Sequence, residues 1–320
     1  MKPPSLAAIL VLVASALAAD TPVLRQTISL PPDVAIRFTA VSPTGKLVAA
    51  ACRDSKIRLW DVASGSLKNT LDLNGERPTV VQFSTGGELL AAGGEGGTVR
   101  LWDSSGALQH EYKYPVEVDA LAFAPDLATI AIGPLERPIE IRTLSDGKVL
   151  ASFPATFSGS AALAYSPDGH WLASADADTE IRIIDARALA LHARVTDFVL
   201  EEFAIAFSPD GGQIVTGGAD GIVTLIDTNT GKITKAFPKQ SAVIFGLCAA
   251  RDGRSITGVY LSANDITAPA RVLTWDTSSR SLRRTVPSPD SGFNGGDYTQ
   301  DNTLLLTSGS EKELKIWADR

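Results

Sequence analysis

"KIRLWDVASGSL" (56–67) and "TVRLWDSSGAL" (98–108) are near copies of one phrase. Each reads as the end of a β-strand, a turn of small polar residues and the start of another strand. With the Trp of "RLWD" as a marker, equivalent positions are Trp60, Trp102, Arg142, Ile184, Ile226, Trp275 and Trp317, spaced by 42, 40, 42, 42, 49 and 42 residues. Asp follows the marker at Asp61, Asp103, Asp185, Asp227 and Asp276. A fixed period near 42 is the signature of a repeat architecture, and it governs every later reading.

A second column keeps the same register. The turn phrase stands at "SPTG" (42–45), "STGG" (84–87), "APDL" (124–127), "SPDG" (166–169) and "SPDG" (208–211), with weaker copies "ARDG" (250–253) and "TQDN" (299–302). It begins 18 residues before the marker in six repeats and 25 before it in the sixth. Each unit reads as four short strands. In the fifth these are "FAIAFSPDG", "GQIVTGGADG", "IVTLID" and "GKITKAF", apolar and β-branched residues alternating between turn residues.

On these two columns the chain resembles the WD-repeat (WD40) family. The resemblance covers nearly all of the chain after the first twenty residues. It implies an all-β fold, a seven-bladed β-propeller of four-stranded antiparallel blades over residues 19–320. Repeat seven stops three residues after Trp317, without a fourth strand. "VLRQTISL" (23–30) carries Leu24, Ile28 and Leu30 at the spacing of Leu67, Leu71 and Leu73 in the fourth strand of repeat one. Residues 23–30 are therefore expected as the outer strand of the last blade, which removes two open sheet edges.

The first twenty residues, "MKPPSLAAILVLVASALAAD", differ from the rest. Lys2 precedes an uncharged apolar run from Leu6 to Leu17, followed by an A-x-A pattern ending at Ala18. This is the form of a cleaved secretory signal over 1–18, and the run is shorter than the roughly 20 residues that span a bilayer. The expectation is an extracytoplasmic protein, periplasmic or secreted, with no membrane insertion after cleavage. The chain carries 29 Lys and Arg against 36 Asp and Glu, a net charge of −7, with no basic run, which argues against nucleic acid. Two cysteines and three histidines are too few for a zinc cluster.

Trp60, Trp102, Trp275 and Trp317 recur in the third strand and are read as packing between blades. Arg142 in the same slot must pack its stem and send its head towards solvent, or leave the slot partly open. Six residues before the marker stand Asp54, Gly96, Glu136, Asp178, Asp220, Pro269 and Glu311, where the family usually has Asp; a carboxylate there fixes a tight turn by accepting backbone N–H bonds. No repeat has the Gly-His pair that the family tends to carry before its first strand. Cys52 and Cys248 belong to different repeats and are expected as free, buried thiols. The seven extra residues of repeat six fall around "SANDITAPA" (262–270) and predict a longer polar loop.

Loops joining second to third strands share a face with the blade-to-blade connections. By register that face carries Arg53, Arg77, Glu95, Glu117, Glu201, Glu202, Asn264 and Asp265. Mixed charge suits a protein or peptide partner. The expected function is a non-catalytic, monomeric binding scaffold without a cofactor, metal or catalytic residue. The alternative is a hydrolase or lactonase-type propeller with a channel-bound metal; a weaker idea is an envelope scaffold like the Tol-system propeller, which shares "SPDG". No glycine-rich phosphate loop between strand and helix and no serine nucleophile elbow is present.

Overall fold

Runs of four to ten residues, rich in alternating apolar side chains and bounded by Gly, Asp, Ser and Pro, set 28 strands among the described residues. The computed structural model describes residues 23–31, 34–154, 160–176, 179–250, 252–262, 269–291, 293–298, 304–309 and 313–318. The segment 1–18 lies outside them.

Strand β1 is Val23–Ser29. Blade 1 comprises β2 (Ile36–Val41), β3 (Leu47–Cys52), β4 (Lys56–Asp61) and β5 (Leu67–Asp72). Blade 2 comprises β6 (Pro78–Phe83), β7 (Leu89–Gly94), β8 (Thr98–Asp103) and β9 (Leu108–Lys113). Blade 3 has β10 (Val118–Phe123), β11 (Thr129–Pro134), β12 (Ile139–Thr143) and β13 (Val149–Phe153); blade 4 has β14 (Ser160–Tyr165), β15 (Trp171–Asp176), β16 (Glu180–Asp185) and β17 (Ala190–Val195). Blade 5 has β18 (Glu202–Phe207), β19 (Gln213–Gly218), β20 (Thr224–Asp227) and β21 (Lys232–Ala236); blade 6 has β22 (Ala242–Ala249), β23 (Ser255–Ser262), β24 (Pro269–Asp276) and β25 (Leu282–Ser291). Last come β26 (Phe293–Tyr298), β27 (Leu304–Gly309) and β28 (Glu313–Ala318).

Six blades are antiparallel meanders of four strands contiguous in sequence. This corrects the expected seven-bladed propeller of four-stranded antiparallel blades to six such blades and one composite sheet. The remaining four-stranded sheet, ordered β1-β28-β27-β26, is composite, with β1 in the outer place beside β28. Leu24 pairs with Trp317 and Ile28 with Leu314. The innermost strands β2, β6, β10, β14, β18, β22 and β26 each touch the next, and β26 touches β2, so the ring closes.

The sheets are also unequal. In blade 6 the extra residues go partly into strand: β23 reaches Ser262 and β24 starts at Pro269, with Ala242 paired to Ser262. The polar loop expected there is thus shorter than 262–270, and Asn264 and Asp265 lie outside the described residues.

The core is a series of seams between neighbouring sheets. Each marker packs back onto the sheet before it: Trp60 among Ile28, Leu30, Leu314 and Ile316, Trp102 among Leu59, Leu71 and Leu73, and Ile184 among Ile141 and Phe153. Trp317, half-buried, packs on Val259 and Val272 of blade 6. Second strands are buried on both faces and are correspondingly small in side chain, as in "LVAAAC" and "LLAAGG". A Cβ on Gly93 would lie 2.8 Å from the Val118 carbonyl oxygen, and one on Gly217 2.8 Å from Ile244 Cδ1, each on the next blade. Outer strands are instead mostly exposed, and each places one exposed aliphatic beside the marker: Leu24, Leu67, Leu108, Val149, Leu191, Ile233 and Leu282.

The turn phrase and the Asp after the marker have distinct local roles. Ser166 Oγ donates to Asp168 (2.6 Å) and accepts from the Trp171 N–H (2.9 Å), closing the first hairpin around Gly169 at φ 68°, and Ser208 and Asp210 repeat this. Asp61, Asp103, Asp185, Asp227 and Asp276 each accept backbone N–H groups of the third-to-fourth turn. The Ser278 hydroxyl, followed by the Ser279 N–H and hydroxyl, holds the Asp276 carboxyl well below the usual carboxylate range.

The composite sheet makes β1 part of the core. Ile28→Ala should lower stability by about 2–5 kcal/mol, read from the urea midpoint, while Thr27→Ala on the exposed face of β1 should change it by no more than about 0.5 kcal/mol. Equal midpoints for the two variants would show that β1 is not held in the seam.

Candidate interaction surface

In every sheet the ladder between the innermost and second strand slips by one residue at the same place. The slips fall at Ile36/Phe38, Pro78/Val80, Val118/Ala120, Ser160/Ala162, Glu202/Ala204, Ile244/Gly246 and Phe293/Gly295. The unpaired residues are Arg37, Thr79, Asp119, Ala161, Phe203, Phe245 and Asn294. Bulges re-aim side chains at sheet edges; here one falls near the start of every innermost strand, at one mouth of the channel.

Backbone bonds fix the surrounding loops at that mouth. The N–H groups of Arg53, Glu95, Leu135 and Ala219, just past the second strands, donate to the carbonyls of Ala35, Arg77, Glu117 and Glu201, each just before an innermost strand, at 2.8–2.9 Å. The sequence-derived residues Arg53, Arg77, Glu95, Glu117 and Glu201 therefore share one rim. Arg37 pairs with Glu95 across blades 1 and 2, and Arg77 Nη1 lies 3.9 Å from Glu95. Thr79 Oγ1 donates to the Val118 carbonyl of the next blade. Burial, then the neighbouring Glu117, pushes the Asp119 carboxyl up to about 6 against the opposing field of Arg37. Asn264 and Asp265 are outside the described residues, and Glu202 sits apart from the rim. It is 1% exposed, and its carboxylate accepts from Thr216 Oγ1 at 2.7 Å.

The other side of the mouth exposes large apolar groups. Phe203 and Phe245, at successive bulge positions of blades 5 and 6, stack with centroids 5.5 Å apart and planes 5° from parallel. Phe245 is 53% exposed, and Val199, in the loop leading into β18, is 88% exposed with Leu200 exposed beside it. Sequence reasoning found the charges and missed these aromatics, because a bulge position is visible only in the ladder. A channel of about 730 Å³ runs beneath, lined by Ala, Leu and Val with Pro43, Pro125, Pro167 and Pro209. Cys248 lines it, half-buried rather than buried as expected; Cys52 is fully buried, its thiol pushed up to about 11 by burial, and both are free.

Below the rim, two of the arginines that stand two residues before the marker bind blades together. Arg182 is buried, pairs with the buried Asp176 at 2.7 Å and donates to the Pro154 carbonyl of blade 3. Arg100 pairs with Glu111 at 2.8 Å and donates to the Leu73 carbonyl of blade 1 at 2.8 Å. Arg58 donates to both oxygens of Asp54 at 3.0 and 2.6 Å, so this carboxylate serves a side chain where a turn role was expected; Asp220 does accept the Ile222 N–H at 2.8 Å. Asp178 and Glu311 lie outside the described residues, and Pro269 is in strand. Arg142 fills its tryptophan slot by lying 5.1 Å from the Tyr112 ring while its head pairs with Glu140 at 2.7 Å and reaches the Gly147 carbonyl at 2.9 Å. Among the described residues no three His, Cys, Asp or Glu are grouped to hold a metal, and no helix is long and apolar enough to cross a membrane.

The family model "WD domain, G-beta repeat" matches residues 27–61, 65–103, 146–185 and 192–227. The chain is 31% identical over 152 residues to "WD repeat-containing protein SL1-17" of Schistosoma mansoni, covering 46% of this chain and 49% of that protein. It is 32% identical over 126 residues to "Periodic tryptophan protein 2 homolog" of Schizosaccharomyces pombe (38% of this chain, 15% of that protein), and 29% identical over 169 residues to "Transducin beta-like protein 3" of Bos taurus (51% and 21%). The chain thus matches about half or less of each of these relatives. A chain of the solved structure "Crystal Structure of Mitotic Checkpoint Complex" superposes with a TM-score of 0.82 at 19% identity, covering 93% of this chain and 92% of that one, a likeness of fold. Together the repeat matches and the relatives support kinship with the WD-repeat family.

Burial pushes the Glu202 carboxyl up to about 8, with Asp220 adding to the rise and the Thr216 hydroxyl opposing it. Between about 4.5 and 8 the unfolded chain has released this proton and the folded chain keeps it, so stability falls as pH rises. It is highest below the unfolded value and levels off above the folded one, with a slope of at most about 1.4 kcal/mol per pH unit. Glu202→Gln should match the wild type near pH 4.5 and exceed it in melting temperature at pH 8. Parallel pH–stability curves for the two proteins would contradict this.

Proposed function

We propose that this chain is a non-catalytic scaffold of the WD-repeat type that holds a protein or peptide partner at the mouth ringed by the seven bulges. The observation that carries this is the ring itself: one backbone device, repeated in every sheet, presents Arg37, Asp119, Phe203 and Phe245 together on one face. Such a surface has aromatic anchors with charge around them, the composition of a protein-binding patch. The structural likeness to a chain of a multi-protein complex supports the same reading. A photo-crosslinking residue at 117 on the mouth should yield protein adducts in cells of origin, and the same residue at 108 on the outer circumference should yield few. Equal yields at both positions, or none at 117, would overturn the scaffold reading.

The site of action proposed is outside the cytoplasm, periplasmic or secreted, with 1–18 removed as a signal. Its support is the order of Lys2, the apolar run 6–17 and the small residues 16–18. N-terminal sequencing of protein purified from the native source should start close to residue 19; a chain that begins at Met1 would refute it.

A further inference from the structure

The mouth is chemically two-sided, and the side formed by blades 5 and 6 specifies more than "a protein". Phe203 and Phe245 stack on one another, and Phe245 stays 53% exposed. The loop into the same blade raises Val199, 88% exposed, and Leu200 into solvent. Large apolar groups left open beside one another mark a contact surface. The charges along this part of the rim are mainly negative: Asp197 and Glu201 in the loop into blade 5 and Asp220 in its second-to-third turn, against Lys239 alone in the described loop into blade 6. None of these three carboxylates has an ion-pair partner among the described salt bridges, unlike Glu95, which holds Arg37 and Arg77. On the blade 1 and 2 side Glu95 is thus held by two arginines, whereas these three carboxylates have no cation beside them among the described salt bridges.

We propose that the blade 5 and 6 side of the mouth takes a short segment of the partner in which a large apolar side chain is flanked by lysine or arginine. The apolar group lies on the Phe203–Phe245 stack beside Leu200, and the cations face Glu201 and Asp197. This rests on the scaffold reading and narrows it. An acidic segment is disfavoured by like charge, and a purely polar one would leave the aromatics without cover.

The test is fluorescence anisotropy with the full chain lacking 1–18 and three labelled peptides: GKLFKLK, its charge-reversed form GELFELE, and GKSSKSK without apolar groups. GKLFKLK should bind about tenfold or more tighter than the other two, and its affinity should fall as salt rises. Phe245→Ser should weaken it by about tenfold. Glu201→Lys should weaken GKLFKLK and strengthen GELFELE, a charge exchange that a misfolded variant cannot give. Equal affinity for all three peptides, or no response to either substitution, would overturn the inference. If Phe245→Ser leaves the adducts formed from position 117 in cells unchanged, this assignment fails while the scaffold reading stands; if position 117 gives none in the wild type, the scaffold reading itself fails.

Discussion

Every blade depends on how closely its second strand can approach the neighbouring sheets. Sheets standing around an axis converge inwards, so their inner strands are pressed on both faces while their outer strands fan apart. The second strands meet this with alanine and glycine, and at Gly93 and Gly217 even one methyl group would collide with the next blade. Further out the gap widens, and there the marker side chain of each repeat, usually Trp or Ile, fills it against the preceding sheet. Small-inside and large-outside is a single geometric requirement, and the period near 42 is its trace in the sequence.

Polar groups in these seams follow the same logic. A buried charge costs free energy unless it is paired and hydrogen-bonded. Arg182 meets both conditions through Asp176 and the Pro154 carbonyl, and so links blade 4 to blade 3. Arg142 shows how far a slot can be altered: its guanidinium lies over the Tyr112 ring, and Glu140 takes up the charge. Glu202 has only a hydroxyl partner and responds by holding its proton.

Much of this was legible beforehand. The marker and turn columns located the strands and the face carrying Arg53, Arg77, Glu95, Glu117 and Glu201, because loop position follows from register alone. The pattern of Leu24, Ile28 and Leu30 placed β1 beside β28. What one-dimensional reading cannot supply is which residue of a strand is skipped by its ladder. Phe203 and Phe245 look like ordinary core residues of an alternating strand, and only the slip after Glu202 and Ile244 turns them outwards. Glu202, by contrast, looks like a rim carboxylate beside Glu201 and is buried by the same slip. Asp54 stands at a turn position of the repeat, yet its partner is Arg58, four positions on, across the turn.

The composite sheet has a kinetic meaning. Strand β1 is made early and its mate β28 late, so the contact between them spans almost the whole length of the fold. Until β28 has been made, β1 has no ladder to join and the first blade has an uncovered flank. Such long-range closure is slow, and an unpaired edge is open to other chains in the meantime. Assembly of the ring is therefore a race between intramolecular docking of the last strand and capture of the waiting one by a neighbour.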